Sequence, residues 1–425
     1  MTPIILFLIV LLAGFPIAFA LLTGTLLLIS HADLQILLPT LSVELYSSLE
    51  QNGLLAIPLF MLVGEIMNRG GLTTRLVAAT EVLFGRFHGG LAYVNLVTNG
   101  MAAAILGSAT AQISVMSKVM VPEMTERKYD KGFSGALTLM GGLLGPIIPP
   151  SMLMIIYGVV AYQSIAALFI AGILPGLLLI GSFALVIMII GFVRPYPAGQ
   201  SYHPGEAKKV LIEGLLPMII PVVVIIGIMS GAMTPTESGA VATLLAAALG
   251  GGLYRQLKFA DIPGILLTVA LGTATITSLI AMATALGWVL TFEAIPDQIV
   301  NAITAVSDSQ WFFLLLLNLL IIFLGMFLES LAVMIVIVPI VLPAALSYGI
   351  DPIHLGVIIG LSTLVGLVTP PVGPGLYIVM VQTGTRMGQL FRASIPFLVA
   401  MLASIVIINA VPALSTWLPS VFGFR

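Results

Sequence analysis

Long apolar stretches separated by short polar ones run through the whole chain. A helix of about 20 apolar residues is long enough to cross a lipid bilayer. The pattern predicts nine crossings, at residues 4–30, 51–68, 132–160, 164–193, 209–231, 235–254, 263–290, 353–384 and 393–417. Residues 72–88 mix polar and apolar positions and are predicted to lie along the inner membrane surface as an amphipathic helix. The pattern therefore predicts an all-α protein that crosses the membrane many times.

The charged residues set the orientation of these crossings. All but one of the 15 Lys and Arg residues fall in five clusters, at Arg69–Arg86, Lys118–Lys131, Arg194–Lys209, Arg255–Lys258 and Arg386–Arg392. The polar stretches at 31–50 and 293–308, and the turn at Asp351, carry acids and no base. Because basic loops stay on the cytoplasmic side, the N-terminus is predicted to lie inside the cell and the C-terminus outside.

Two apolar stretches do not fit a simple crossing. Residues 89–117 have basic clusters on both sides, and two crossings need about 40 residues, whereas this stretch has 29. It is therefore predicted to be a re-entrant hairpin with its tip at Gly107–Thr110. Residues 311–347 are predicted to form a second hairpin that enters from the opposite face and carries Glu329 in its middle. Irregular backbone at such depth is tolerated where it is buried in protein or lines a cavity.

A repeat underlies this pattern. A shift of 221 positions superposes six Gly and Pro pairs, namely Pro122 with Pro343, Gly135 with Gly356, Gly145 with Gly366, Pro149 with Pro370, Pro150 with Pro371, and Pro175 with Pro396. The same shift superposes the two hairpins, while the crossings that contain the Pro-Pro pairs run in opposite directions. The halves are therefore predicted to be inverted copies. Inverted repeats with broken helices are typical of secondary transporters that bind at mid-membrane.

Each Pro-Pro pair should break its helix, because proline removes a donor and clashes with the preceding turn. The freed carbonyls would form an ion or substrate site, or the break would be a packing kink. Small polar side chains cluster at the first hairpin tip, and a membrane-buried acid marks the second. The candidate substrate residues are Ser108, Thr110, Gln112 and Glu329, with Ser114 close by. The alternatives are interhelical hydrogen bonding for the first group and a hydrated tip for Glu329.

The composition excludes several classes of protein. Hydrophobic residues make up 60% of the 425 positions and charged residues 8%, with a net charge of −2, no Cys and four His. A soluble domain has about 25% charged residues. The composition argues against a nucleic-acid binder, a disulfide scaffold, thiol catalysis and a cysteine-ligated metal site.

Several motifs in combination resemble one transporter family. They are AIPLFMLVGEIMNRGGL (57–72), GSATA (107–111), IIPPSMLMIIYG (147–158), LFIAGILPG (168–176), TPTESGAVA (234–242) and TPPVG (369–373). Together they resemble the large permease subunit of tripartite ATP-independent periplasmic (TRAP) transporters. Many relatives carry Asp directly after the hairpin tip, where this chain has Gln112.

The resemblance implies a mechanism and partners. It implies a sodium-driven elevator in the bacterial inner membrane, in which a body with two hairpins slides against a scaffold. The partners would be a separate small four-helix membrane subunit and a periplasmic binding protein that delivers a carboxylate or a sialic acid. No cofactor is expected beyond sodium as the coupling ion, and no nucleic acid.

Two sodium sites are predicted. The break at 366–372 should free carbonyls near Gly366, Thr369 and Val372, and Gly325 can approach closely because it lacks a side chain. The resemblance points to the same four residues. The repeat then predicts a second site at Ala104, Gly145, Ile148 and Ser151. Neutral oxygens suit a weakly held monovalent ion better than calcium or magnesium.

The predicted division of the chain has five parts. Residues 1–88 are scaffold helices and the inner-surface helix, 89–163 the first transport repeat, 164–309 scaffold and connecting helices, 310–385 the second transport repeat, and 386–425 a C-terminal helix.

Two other functions remain open at this stage. One is a stand-alone ion-coupled symporter or antiporter that needs no binding protein. The other is an intramembrane enzyme, although the chain lacks His-Glu-x-x-His, Gly-x-Gly-Asp and Gly-x-Ser-x-Gly motifs. The prediction is that the chain is not an enzyme.

Overall fold

A computed structural model describes residues 15–31, 34–86, 89–193, 196 and 204–424, and these residues form α-helices and turns without a β-strand. The start of the predicted crossing at 4–30 lies outside the described residues, as do Arg194 and Arg425. Among the described residues, five helices are long and apolar enough to cross a membrane, at Ile165–Val193, Ala207–Met229, Phe259–Phe292, Ser330–Ser347 and Met387–Ala410. The prediction of an all-α membrane protein is confirmed.

The N-terminal helices lead to the first hairpin. They are α1 (Ile17–His31), α2 (Leu38–Ser47), α3 (Ala56–Arg69) and α4 (Leu72–Phe84). The chain bends by 66° between Gly53–Arg69 and Leu72–Phe84, where Gly71 adopts a left-handed conformation with φ 70°. The bend turns α4, the predicted inner-surface helix, away from the direction of α3.

The first hairpin consists of α5 (Gly90–Leu106) and α6 (Ala109–Glu126), and the first broken helix of α7 (Lys131–Gly142) and α8 (Met152–Val160). Gly107 has φ 60° and Ser108 is extended, so the chain reverses within two residues. Between α7 and α8 the chain forms turns around the Pro149-Pro150 pair. The predicted hairpin tip and the predicted break are thus both present as interruptions of helix.

Helices that join the two halves follow. They are α9 (Ile165–Ala171), α10 (Ile173–Val193), α11 (Pro204–Leu215), α12 (Ile219–Met229), α13 (Pro235–Ala247), α14 (Ile262–Phe292) and α15 (Ile295–Thr304), with a π-helix at Ala248–Leu253. Helices α2 and α15 lie in the two polar stretches that were predicted only as acid-rich connections. They pack on neighbouring apolar helices, because each short polar segment still offers apolar side chains.

The second half has the same order of elements. Its hairpin is α16 (Gln310–Gly325) and α17 (Ser330–Ser347), and its broken helix is α18 (Pro352–Leu367) and α19 (Pro374–Thr383). Helix α17 begins 221 positions after α6, and α18 begins 221 positions after α7. The Asp130 and Asp351 side chains cap α7 and α18 by accepting backbone N–H groups.

The predicted C-terminal helix at 386–425 is two helices, α20 (Met387–Ala410) and α21 (Ala413–Val421). The prediction of one continuous crossing at 393–417 is wrong, because the helix is interrupted between Ala410 and Ala413. Pro412 disfavours a helical conformation at the residue before it, and Val411 lies outside the helical region, with φ −126° and ψ 78°.

The helices form two packing groups. Helix α10 packs on α5 and α20, helix α9 packs on α18 and α21, and α20 packs on α7 and α18. The Phe183 and Phe397 rings make an edge contact with centroids 5.9 Å apart between α10 and α20. In the second group α1 and α3 pack on α14, α3 packs on α13, and α13 packs on α12. Residues 164–193, which the sequence grouped with the connecting helices, therefore lie against the hairpins and broken helices.

Candidate functional site

A cavity of about 170 Å³ lies where the two hairpins meet the second packing group. The hairpins and the first broken helix contribute Leu106, Ser108, Ala111, Val115, Met152 and Leu331. Helices α3 and α14 contribute Met61, Gly64, Glu65, Asn68 and Ile276. Residues that are more than 200 positions apart in the chain therefore share one cavity at the hairpin tips.

The first hairpin tip is tied to the first broken helix. The Met152 N–H donates to the Gly107 carbonyl oxygen at 3.2 Å. A Cβ at position 107 would come within 3.1 Å of the Pro150 carbonyl oxygen. Glycine therefore meets two needs here, the left-handed φ and the close approach of two backbones. The Ser108 and Thr110 hydroxyls are 3.2 Å apart, with Ser108 at the cavity wall.

The second hairpin is tied to its broken helix in a corresponding way. The Gly373 N–H, 221 positions after that of Met152, donates to the Met326 carbonyl oxygen at 3.1 Å. A Cβ at Gly366 would lie 2.5 Å from the Gly325 Cα, and one at Gly325 would lie 2.9 Å from the Thr363 carbonyl oxygen. Helices α16 and α18 are therefore in backbone contact at two glycines. The structure brings Gly325 and Gly366 of the predicted sodium site together.

The hydroxyls of the predicted sodium sites already take part in hydrogen bonds. The Thr369 hydroxyl donates to the Val365 carbonyl oxygen at 2.6 Å. The Ser151 hydroxyl donates to the Pro146 carbonyl oxygen and accepts the Met154 N–H at 3.2 Å. A hydroxyl oxygen has two lone pairs, so each oxygen keeps a lone pair that is available to a cation.

The other predicted sodium residues are more scattered. Gly145 lies beside the first tip, because a Cβ there would be 3.4 Å from the Ser108 carbonyl carbon and oxygen. Ala104 is buried in α5, and the Ile148 N–H donates to the Leu144 carbonyl oxygen at 2.9 Å. Val372 is 45% exposed. Among the residues that the structure describes, no three His, Cys, Asp or Glu side chains form a metal-binding group.

Gln112, a predicted substrate residue, lies inside the first hairpin and is fully buried. Its amide nitrogen donates to the Asn99 carbonyl oxygen at 2.7 Å and to the Asn99 Oδ1 at 3.0 Å. Its Oε1 has no hydrogen-bond partner among the described residues and lies 2.7 Å from where a Cβ on Gly145 would be. The amide of Gln112 thus joins the two helices of the hairpin and reaches the first break.

A chain of buried amides extends from Gln112 into the hairpin. The Asn99 side chain donates to the Asn95 Oδ1 at 2.7 Å, and the Asn95 side chain donates to the Thr138 hydroxyl at 2.8 Å on α7. The sequence prediction missed these residues. A signal was present, since Asn95 and Asn99 are one helical turn apart in an otherwise apolar stretch.

The remaining predicted substrate residues lie near the cavity without filling it. Glu329 is partly buried in the extended residue before α17, two positions before Leu331 at the cavity wall. The adjoining Ser330 is buried, and its hydroxyl has no hydrogen-bond partner in the described part of the chain. Ser114 accepts a hydrogen bond from the Gln382 side chain at 3.2 Å.

Two cavity residues of α3 were not among the predicted site residues. The Glu65 carboxylate lies 3.7 Å from the Arg69 guanidinium, and Asn68 lies between them in sequence. Both Glu65 and Asn68 belong to the 57–72 motif. Helical spacing alone could place them on one face, but it could not show that this face is opposite the hairpin tips.

Comparisons with known proteins agree on the family. Residues 4–414 match the family model described as tripartite ATP-independent periplasmic transporter, DctM component. The chain is similar to the C4-dicarboxylate TRAP transporter large permease protein DctM of Pseudomonas aeruginosa, with 35% identity over 90% of each chain. It is similar to the sialic acid TRAP transporter large permease protein SiaM of Vibrio cholerae, with 35% identity over 89% of each chain.

A solved structure shows the same fold. The YdaH transporter of Alcanivorax borkumensis matches 91% of this chain and 90% of its own with a TM-score of 0.66, at 13% sequence identity. The prediction that the protein is not an enzyme is confirmed, since the matching family consists of transporter components. The chain belongs to the DctM component family of tripartite ATP-independent periplasmic transporters.

Proposed function

We propose that this chain is the membrane permease through which a small organic anion, a carboxylate or a sialic-acid-like molecule, enters the cell together with sodium. The similar proteins named for C4-dicarboxylates and sialic acid support this class of substrate. A periplasmic binding protein delivers the substrate and a separate small membrane subunit braces the permease. The site of action is the bacterial inner membrane, with the N-terminus in the cytoplasm.

The cavity at the hairpin tips carries the proposal. It joins Ser108 of one hairpin to Leu331 of the other, against Asn68 of a helix in the second packing group. A substrate held there would contact both tips and the opposite wall at once. Among the described residues, its lining contains no Lys or Arg and one acid, Glu65, which is paired with Arg69. An anion would therefore be held by hydroxyls, amides and the partial positive charge of helix N-termini, supported by bound cations.

The two packing groups support an elevator movement. The moving body would contain the hairpins, the broken helices and helices α9, α10, α20 and α21, which pack on one another. The fixed body would contain α1, α3 and α12–α14. This division differs from the one predicted from sequence, because residues 164–193 and 387–421 now belong to the moving body.

Three features support a repeat of two related halves. The second helix of each hairpin and the first part of each broken helix begin 221 positions apart. An aspartate caps each broken helix at its start, at Asp130 and Asp351. The residue after each Pro-Pro-x segment, Met152 or Gly373, donates its N–H to a hairpin tip, and these two donors are also 221 positions apart. Related halves would place the sodium sites at related positions.

Sodium would bind at the two breaks. The Gly325–Gly366 contact and the Thr369 hydroxyl support one site, and Gly145, Ser108 and Ser151 support the other. In each, neutral oxygens lie beside a hairpin tip. An ion bound there would fix the tip against its broken helix and so prepare the adjoining substrate cavity.

Reconstitution into liposomes tests the proposal. The permease with the small subunit, supplied with the binding protein and its substrate, should take up substrate only with an inward sodium gradient. Full uptake in sodium-free buffer would contradict sodium coupling. Full uptake without the binding protein would favour the stand-alone symporter instead.

A further inference from the structure

An ion pair joins the inner-surface helix α4 to the first hairpin. The Arg127 Nη2 lies 2.5 Å from the Glu81 Oε1 and 2.6 Å from the Glu123 Oε1. Glu81 is on α4, whereas Arg127 follows the last residue of α6, the helix that contains Glu123. Arg127 therefore binds one carboxylate on a separate helix, α4, and one on α6, the helix that it follows.

This pair is more sheltered than an ordinary surface pair. The Glu81 side chain is 11% exposed and that of Arg127 24%. The Lys209–Glu213 pair is 78% and 46% exposed, with its charged atoms 3.9 Å apart. Burial alone would lower the pKa of Arg127, but Glu81 and Glu123 together raise it above its usual value. The Arg127 guanidinium thus stays charged at a place partly shielded from water, where its attraction to a carboxylate is stronger.

The other end of α4 is attached to the fixed body. The Arg75 guanidinium carbon lies 4.1 Å from the centroid of the Tyr254 ring, a cation–π contact. The Tyr254 hydroxyl donates to the Glu213 carbonyl oxygen at 2.6 Å, and α11, which contains Glu213, packs along α4. Helix α4 is therefore held by the fixed body near its start and by the first hairpin near its end.

One of these attachments has to change when the hairpin body moves. The Arg75 end is supported by a ring, a hydrogen bond and a packed helix. At the other end, α4 packs on α5 and the Thr80 and Thr98 hydroxyls are hydrogen-bonded, while Arg127 keeps Glu123 as a partner that travels with it. Losing Glu81 would therefore not leave Arg127 unpaired, so the ion pair is the contact at this end that can open without leaving the guanidinium uncompensated.

We propose that the Glu81–Arg127 pair is a latch between α4 and the first hairpin that holds the moving body in the conformation described here and opens during transport. This rests on the proposed two-body movement. A ligand or contact present in one conformation alone shifts the equilibrium by its own free energy. Glu81→Gln should shift the population towards the other conformation about fivefold, equivalent to about 1 kcal/mol.

Single-molecule fluorescence energy transfer measures this shift without a transport assay. The chain has no native Cys, so dyes can be attached at Phe259→Cys in the fixed body and Gly388→Cys in the moving body, both at exposed positions. Glu81→Gln should change the ratio of the two populations, and adding Arg127→Gln should shift it little further. Glu213→Gln, in the exposed pair, is the matched control and should leave the ratio unchanged.

Two results would contradict the proposal, each at a different step. Two populations with the same ratio in the wild type and Glu81→Gln would overturn the latch. One population at every sodium concentration would overturn the two-body movement on which it rests.

Cross-linking provides an independent measurement. A short bis-maleimide between Glu81→Cys and Arg127→Cys should leave one population and stop uptake. The same reagent between Glu123→Cys and Arg127→Cys, on one helix, should leave both populations. If the first cross-link also leaves both populations, the two residues belong to one rigid body and the latch is wrong.

Discussion

The two hairpins have the same order of elements but are held to their broken helices by different forces. In the first, side-chain amides form the core, from Asn95 through Asn99 to Gln112. In the second, Gly325 and Gly366 bring two helix backbones into direct contact. Gln112 corresponds to Val333 under the 221-residue shift, and Val333 is fully buried among apolar neighbours.

The difference teaches that a repeat can keep its geometry while its stabilising interactions change. A hydrogen-bonded core tolerates small shifts in backbone distance but fails when a donor is lost, because the remaining polar atoms are buried. A glycine contact tolerates the loss of a donor but not an added carbon atom. The two hairpins should therefore fail under different substitutions.

The largest expected effect is at Gly366. Gly366→Ala places a carbon 2.5 Å from the Gly325 Cα, so α16 and α18 have to separate and the predicted sodium site is disrupted. Uptake should fall to background at every sodium concentration, and the larger side chain of Gly366→Leu should abolish it as well. Gly388→Ala is the matched control, since a Cβ there meets nothing within 4 Å. Normal uptake by Gly366→Ala would show that the contact is not required.

Gln112→Met should mainly reduce stability. It leaves the Asn99 carbonyl and side-chain oxygens without the donor that they now have, at a cost of about 1–3 kcal/mol for a buried unsatisfied group. The melting temperature in detergent should fall, whereas Val333→Met at the corresponding position should change it less. If Gln112 instead binds substrate, the substrate concentration for half-maximal uptake will rise while the melting temperature stays constant.

Thr369→Val and Ser151→Ala test the two sodium sites separately. Each removes one neutral oxygen, and a loss of about 1 kcal/mol corresponds to about a fivefold rise in the sodium concentration for half-maximal uptake. Thr277→Val is the control, since its hydroxyl also donates to a carbonyl one turn earlier, at 2.8 Å. Unchanged sodium dependence and Hill slope in both variants would mean that the sites are elsewhere.

Ser330→Ala should have the smallest effect. The Ser330 hydroxyl is buried and makes no hydrogen bond within the described structure, so its removal should change the unfolding free energy by less than about 0.5 kcal/mol. The corresponding residue in the first half is Ala109, and Ala109→Ser provides the reverse substitution. A marked change in sodium or substrate dependence in Ser330→Ala would identify this hydroxyl as a ligand that the sequence prediction missed.

Much of the fold was predictable because it depends on local chemistry. Gly107 can adopt the left-handed φ of 60° at which the chain reverses, and the two Pro-Pro pairs break their helices for covalent reasons. The division of the chain into bodies was less predictable. The apolar stretch at 164–193 is a crossing in any arrangement, and its sequence does not state whether it faces a hairpin or the fixed helices.

The sequence by itself determined the family, the membrane-spanning class, the hairpin tips and the two breaks. Each depends on residues close together in the chain or on a repeat that can be counted. The tertiary structure alone decided that Gln112 points into the hairpin rather than into the cavity, that Glu65 and Asn68 face the tips, and that Arg127 bridges to Glu81. These facts depend on which surfaces meet across long stretches of chain, and in a protein that is apolar throughout, hydrophobicity does not distinguish one neighbour from another.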